Sequence, residues 1–296
     1  MNSHVSYEVQ VAVDVAEGRP VIFDSYPNED GSRRSQYGRY IRQGDKDMGF
    51  EYVIRYDDGI TSDHVIASGS YPVNFDYARI EVESYDAADI KLEDDGTNGR
   101  SKYSVNYKKE IRHFWDGGLM SNTPLVELIL MHRLYWYKIR GLKDKVPSLG
   151  IAIINLNPKR QTEIPFDRDG VLNRNADITF SDRTEREEEA LLLVSDYIDL
   201  IRDLIRVAEE KGVKQEIIND LLDRRTRFHG TFTRPRSYRE IVEGRFSIEE
   251  IIRIERKTDE NTILDKTFDF SVGTIRQLLN DGYNEEFQER NQNKME

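Results

Sequence analysis

The hydrophobic period of this chain changes from two to about 3.6 along its length, and that change limits the folds open to it. Val9, Val11, Val13 and Val15 alternate with Gln10, Ala12 and Asp14, the pattern of a strand. Gly18-Arg19-Pro20 turns the chain and Val21-Ile22-Phe23 reads as a second strand, so a hairpin is expected. From about Asp182 the period lengthens. Glu185 to Lys211 carries Leu192, Val194, Ile198, Ile201, Leu204, Ile205 and Ala208 as the apolar stripe of one long helix, with Gly212 as its stop. The reading is therefore an α/β part over residues 1–181 and a mostly helical part over 182–296.

Between these landmarks, Asn28 to Gly49 is rich in Gly, Ser, Arg and Asp and predicts a loop. Ile60 to Ala67 predicts a short helix capped by Thr61 or Ser62 and ended before Pro72. Arg79 to Val82 alternates as a strand, whereas Asp86 to Tyr107, with Gly96 and Gly99, predicts a mobile surface excursion. Thr123 as N-cap and Pro124 as first helical residue open a helix to about Tyr137, apolar nearly all round and so expected to be buried. Ile151 to Leu156, closed by Asn157-Pro158, predicts a central strand covered on both faces. Ser247 with Glu250 is a capping-box spacing that predicts a helix over Ile248 to Arg256. Ser271 to Asn280 predicts another, with Gly282 past its end and a frayed terminus from Glu285 to Glu296.

Composition narrows the function classes. The formal charge of −12 opposes nucleic acid and anionic membrane surfaces. No apolar run reaches the ~20 residues of a spanning helix, and Met1 to Ser6 shows no secretory signal. Cysteine is absent, which excludes disulfides and thiolate chemistry and suits the cytoplasm. One stretch runs against the acidity: Arg224, Arg225, Arg227, Arg234, Arg236 and Arg239, interleaved with Phe228, Phe232 and Tyr238. That composition matches a nucleic-acid or lipid-headgroup patch. A solvated connector whose arginines pair with neighbouring acidic helices is the favoured reading. His4, His64, His113, His132 and His229 do not fall at zinc spacings, and His132 reads as a core or boundary residue. Neither a Walker loop nor a dinucleotide fingerprint is present, so no cofactor or metal is expected.

The chemistry concentrates at His113-Phe114-Trp115-Asp116-Gly117-Gly118-Leu119-Met120-Ser121-Asn122-Thr123-Pro124. Taken with Val9 to Phe23 and with Ala67-Ser68-Gly69-Ser70-Tyr71-Pro72 followed by Phe75, this block resembles the patatin-like phospholipase family. Over roughly residues 8 to 160 the three blocks follow in the family's order. The resemblance implies a three-layer α/β/α fold, an acyl-ester or lipid substrate and a Ser-Asp dyad in which Asp116 is the base. Ser68, Pro72 and Phe75 would then belong to the substrate-shaping region. Gly117 and Gly118 allow a sharp turn beside the carboxylate, and Asn122 and Pro124 would hold the loop and open the next helix. A lone carboxylate, with an ordinary pKa of ~3.9, can take a serine proton, though less readily than histidine.

The departure from the family is as informative. No serine here sits in Gly-x-Ser-x-Gly: Ser101 has Gly99 but Tyr103, and Ser148 has Gly150 but Val146. The family's oxyanion loop and nucleophile elbow lie upstream of the strand that Val9 to Val15 resemble. The expectation is a partial patatin-like sheet that carries the dyad aspartate and is inactive alone, its serine supplied by an N-terminal segment. It would work in the cytoplasm or peripherally at membranes. The alternative is a non-catalytic patatin-like interaction or regulatory protein acting through its helical C-terminal part and the Arg224–Arg239 segment.

Overall fold

The computed structural model describes residues 8–43, 46–72, 74–94, 101–142, 146–155, 157–226, 236–244, 246, 248–255 and 271–292. Its strands are β1 (Val9–Asp14), β2 (Arg19–Asp24), β3 (Arg34–Gln43), β4 (Lys46–Arg55), β5 (Ala78–Ser84), β6 (Ile90–Asp94), β7 (Ser101–Val105), β8 (Lys108–Asp116), β9 (Leu149–Asn155) and β10 (Ile248–Glu255). Its α-helices are α1 (Ser62–Gly69), α2 (Gly118–Ser121), α3 (Leu125–Arg133), α4 (Arg168–Phe180), α5 (Thr184–Glu210), α6 (Gln215–Leu222), α7 (Arg239–Val242) and α8 (Val272–Gln292). The chain is thus of mixed α and β class, 40% helical and 30% strand. It divides into two compact units, residues 1–146 with 188–246, and residues 147–187 with 247–296.

The first unit is built on an antiparallel six-stranded sheet of order β2-β1-β8-β5-β4-β3. The expected β1–β2 hairpin forms, with Val9 opposite Asp24 and Asp14 opposite Arg19. Its turn closes on Asp14, whose Oδ1 accepts the Ala16 and Glu17 N–H groups at 3.0 and 3.1 Å. Gly18 completes the turn at φ 58°, a conformation that favours glycine. The edge strands β2 and β3 approach each other, with the Ser35 hydroxyl donating to the Ile22 carbonyl, and the Asp24 N–H donates to the hydroxyl of Tyr56, just past β4, at 2.9 Å. Ala12, Val21, Phe23, Tyr37, Ile54, Ala67, Val82 and Phe114 form the core on the face where α1 packs.

A buried ionic pair sits within this core. Asp14 is fully buried, and Arg112 of β8 grips it with two bonds, Nε to Oδ2 at 2.9 Å and NH2 to Oδ1 at 3.0 Å. Tyr37 of β3 donates to Asp14 Oδ2 at 2.8 Å, and Arg112 also reaches Glu17 Oε1 at 3.2 Å. The guanidinium lies 4.5 Å from the ring centre of Tyr52, which stacks on Tyr37. Burial opposes the Arg112 charge, but hydrogen bonding and the charge of Asp14 outweigh it and hold the guanidinium above its usual range. Burial and the Asp14 charge push the Tyr37 phenol up as well.

Several elements differ from their sequence reading. The expected loop over Asn28 to Gly49 contains β3 and the start of β4. Gly38 at φ 83° and two register shifts interrupt the strand alternation there, and buried Ser35 and Tyr37 are hydroxylated, so the apolar signal is weak. The expected excursion over Asp86 to Tyr107 contains the β6–β7 hairpin, while Gly96 and Gly99 lie outside the described residues. Thr61 caps α1 as expected, in a box whose other half is the His64 ring. Pro124, rather than Thr123, immediately precedes α3. α3 continues into wider π-type turns over Leu134–Ile139 and buries one stripe, Leu125, Ile129, His132 and Tyr135, leaving Leu134 exposed.

In the second unit β9 pairs in parallel with β10, from Leu149 opposite Ile248 to Asn155 opposite Glu255. Ile151, Ile153 and Asn155 are buried while Ile154 is 65% exposed, so one face of β9 is covered, not two. Leu156 lies outside the described residues. The expected helix over Ile248 to Arg256 is instead β10. Four isoleucines, β-branched and suited to a sheet, outweigh the Ser-x-x-Glu spacing, whose Ser247 is itself outside the described residues. The long helix is present as α5, and the Asp182 carboxylate accepts the backbone N–H and hydroxyl of its first residue, Thr184, at 3.0 and 2.8 Å. α8 runs through Gly282 to Gln292, beyond its expected end and into the stretch read as frayed; residues 293–296 are outside the described set. No helix among the described residues is long and apolar enough to cross a membrane.

Two stability predictions follow from these contacts. Arg112→Ala leaves a buried carboxylate without its cation and should cost about 3–5 kcal/mol in urea denaturation. Replacing Asp14 by Asn and Arg112 by Met together should cost less, since no lone charge remains. Asp24 is shifted by burial to a pKa of about 6, with the Tyr26 N–H and Arg33 acting against the shift. Its ionised form is disfavoured in the fold, so its contribution is full below pH ~4 and is lost as pH rises through about 6. That loss should be on the order of 2 kcal/mol, and Asp24→Asn should flatten the corresponding slope in a Tm-versus-pH series.

Candidate active site

The Asp116 turn is assembled from three separated stretches of sequence. β8 ends at Asp116, opposite Ala12 of the neighbouring strand β1. The Asp116 N–H donates to the Ser70 carbonyl at 2.9 Å, and the Gly117 N–H to the Ser68 carbonyl at 3.4 Å. Ser68 in turn donates its hydroxyl to Gln10 Oε1 of β1 at 2.8 Å. The end of α1, the start of β1 and the Asp-Gly-Gly turn are therefore laced together around one carboxylate.

Gly117 is required by this closeness. It is buried against β1, and a Cβ there would run into the Val11 carbonyl and approach the Val11 side chain at 3.0 Å. Gly118 N–H donates to Asp116 Oδ1 at 2.7 Å, which fixes the carboxylate at the head of the one-turn helix α2. No other side chain among the described residues hydrogen-bonds Asp116. Burial raises its pKa above the ordinary carboxylate value, while the Gly118 N–H acts in the opposite sense. The result is a half-buried carboxyl group with one oxygen anchored and a strengthened hold on a proton. Chemically it is suited to take a proton from a hydroxyl placed beside it.

The other sequence candidates fall around this turn with different degrees of engagement. The Ser70 hydroxyl donates to the Ile66 carbonyl at 2.8 Å, so neither Ser68 nor Ser70 offers its hydroxyl to Asp116. Pro72 is half-buried in the turn after α1, and Phe75 is 50% exposed with its N–H donated to the Tyr71 carbonyl. Asn122 follows α2 on the surface, and Pro124 is half-buried before α3. Alternation along β8 sends Phe114 and Asp116 to one face and His113 and Trp115 to the other. Tyr77 stacks on Trp115 at 5.5 Å and meets His113 edge-on at 5.6 Å. An open groove of about 500 Å³ is lined there by Val15, Ala16, Tyr77, Arg79 and residues 110–113, and Asp116 is not part of its lining.

Two residues read in the sequence only as strand positions prove to be partners of the turn. Gln10 and the Val11 carbonyl join it only through strand register, which a motif does not encode. His132 is buried against Phe246 and Trp136, and His64 against Phe23 and Tyr56, which makes both core residues. Of the arginine-rich stretch, Arg225 pairs with Asp47 at 3.4 Å, and Arg239 pairs with Asp223 and Glu243 at 2.6 and 2.9 Å. Arg227, Phe228, Phe232 and Arg234 lie outside the described residues, as do His4 and His229. Among the described residues no three His, Asp or Glu side chains are grouped to hold a metal ion.

No protein-family model, curated protein or solved structure matches this chain.

The packing of the turn gives a paired prediction. Gly117→Ala should lower stability by about 1–3 kcal/mol through the forced clash with β1. Gly69→Ala, where a Cβ meets nothing within 4 Å, should be neutral or stabilising by about 0.5–1 kcal/mol. Thermal melts of the two variants against the native chain separate the effects.

Proposed function

We propose that this chain is the C-terminal portion of a patatin-like lipid acyl hydrolase and that Asp116 is the general base of its Ser-Asp dyad. The observation that carries the reading is the meeting, at one half-buried carboxylate, of the three blocks on which the resemblance rests. In this reading a serine hydroxyl on a companion segment attacks the carbonyl of an acyl ester. Its proton passes to Asp116 and on to the alcohol that departs as the ester C–O bond breaks, leaving an acyl-enzyme. The regenerated carboxylate then takes a proton from water, whose oxygen attacks the acyl carbon, and the proton returns to the serine as the acid leaves. The raised pKa favours this role, because a base with an ordinary carboxylate pKa holds a proton poorly near neutrality. The family's α/β/α layering belongs to the proposal. The described residues contribute a six-stranded sheet with α1 packed on it. Action in the cytoplasm or at a membrane surface fits an ester-bearing lipid substrate.

The test is reconstitution. The purified chain alone should not be labelled by a fluorophosphonate probe. Co-expressed with a patatin-like segment bearing the glycine-rich loop and Gly-x-Ser-x-Gly, it should hydrolyse a p-nitrophenyl acyl ester. Asp116→Asn should then lower kcat by about 10³-fold or more. The rate should fall with decreasing pH through a pKa above the ordinary carboxylate value, since Asp116 must be ionised to act. Probe labelling of a serine in this chain, or an Asp116→Asn complex as fast as the native one, would overturn the reading.

A further inference from the structure

The helix α5 presents an apolar seam that the described residues leave exposed. Leu193, Tyr197, Leu200, Leu204 and Val207 are each between 45% and 60% exposed. Their spacing of four, three, four and three residues places them in one line along a helix that pairs with another. Leu191, Ile198 and Ile205 lie on a different, half-buried side of the helix, so the exposed seam is separate from them. Val194 and Ile201 widen the seam on one flank. Along the other flank run Glu189, Asp196, Asp203 and Glu210, one acid every seven residues and all exposed.

That flank selects the occupant. In paired helices the residues beside the seam meet their counterparts on the partner, and their charges decide which partner is accepted. A second α5 laid antiparallel sets this acidic line against itself, and laid parallel it sets acids against Val194 and Ile201. Neither arrangement brings in the opposite charge. An anionic lipid surface is opposed by the same acids. We infer that the α5 seam docks an amphipathic helix of a protein partner whose apolar stripe is flanked by lysine or arginine. The inference rests on α5 alone and is independent of the acyl hydrolase reading.

Two synthetic peptides of about four heptads test it on the full chain by fluorescence anisotropy. Both carry leucine at the seam positions; one has lysine and the other glutamate at the flanking ones. The lysine peptide should bind about tenfold tighter or more at low salt, the flanking pairs acting together and that at Asp203 displacing its 3.0 Å pairing with Arg206, and the preference should narrow at high salt. Asp196→Lys with Asp203→Lys should reverse the preference. Glu29→Lys with Asp58→Lys, an equal charge change at other exposed sites, should leave it in place and so exclude a general effect of net charge. Leu200→Asp, a surface change, should weaken both peptides. Failure of the lysine peptide to bind, equal binding of the two, or a preference untouched by the Asp196/Asp203 reversal would overturn the inference. So would self-association in sedimentation equilibrium, or binding to phosphatidylcholine vesicles, if lost in Leu200→Asp.

Discussion

The two-pronged contact between Asp14 and Arg112 ties the first unit together. Strands β1, β3 and β8 are neighbours or near-neighbours in space but far apart in sequence, and this one carboxylate bonds to all three. It accepts from Arg112 on β8, from Tyr37 on β3 and from the turn that follows β1. Desolvating a carboxylate and a guanidinium costs several kcal/mol each, so the pair is held only where geometry and extra hydrogen bonds are good. It offers specificity in return: a one-residue slip of β8 on β1 would place Arg112 on the wrong face. Because Asp116 lies four residues further along the same strand, the register that seats Arg112 also fixes Asp116 opposite Ala12.

At the far end of β8 the physics is different. Among the described residues Asp116 has no counter-ion and a single backbone donor, so burial dominates and its proton affinity rises. Two carboxylates on adjacent paired strands, Asp14 and Asp116, therefore serve separate ends because their surroundings differ. The one with a cation is a structural clamp. The one without is chemically available, which suits the dyad role proposed for Asp116.

Much of this was legible in the sequence where a residue type has few alternatives. Four valines at alternate positions can scarcely be anything but a strand, and Thr61 before Val65 and Ile66 marks the start of α1. Asp116 and Gly117 stood out through the resemblance of the Asp-Gly-Gly block to a family motif, and the glycine does abut the β1 backbone. The β3–β4 hairpin was hidden by Gly38 and by buried hydroxyls in place of aliphatic side chains. β10 was misassigned because a capping spacing is local, whereas the pairing that makes Ile248 to Glu255 a strand comes from β9, nearly a hundred residues earlier. Arg112 gave no signal at all, and Gln10 and Val11 were read only as strand positions, not as partners of the turn. Their roles come from register between distant strands, and one sequence does not carry that information.

The discontinuity of the second unit has a consequence for how the chain acquires its structure. β9 is made early, but its parallel partner β10 follows only after α4 to α7 have been synthesised. A nascent chain emerging from the ribosome therefore holds β9 with an unsatisfied edge for the time needed to translate that intervening stretch. Closure over so long a loop is slow, and during the wait this strand is the segment most open to capture by a chaperone or by the same strand of a neighbouring polypeptide.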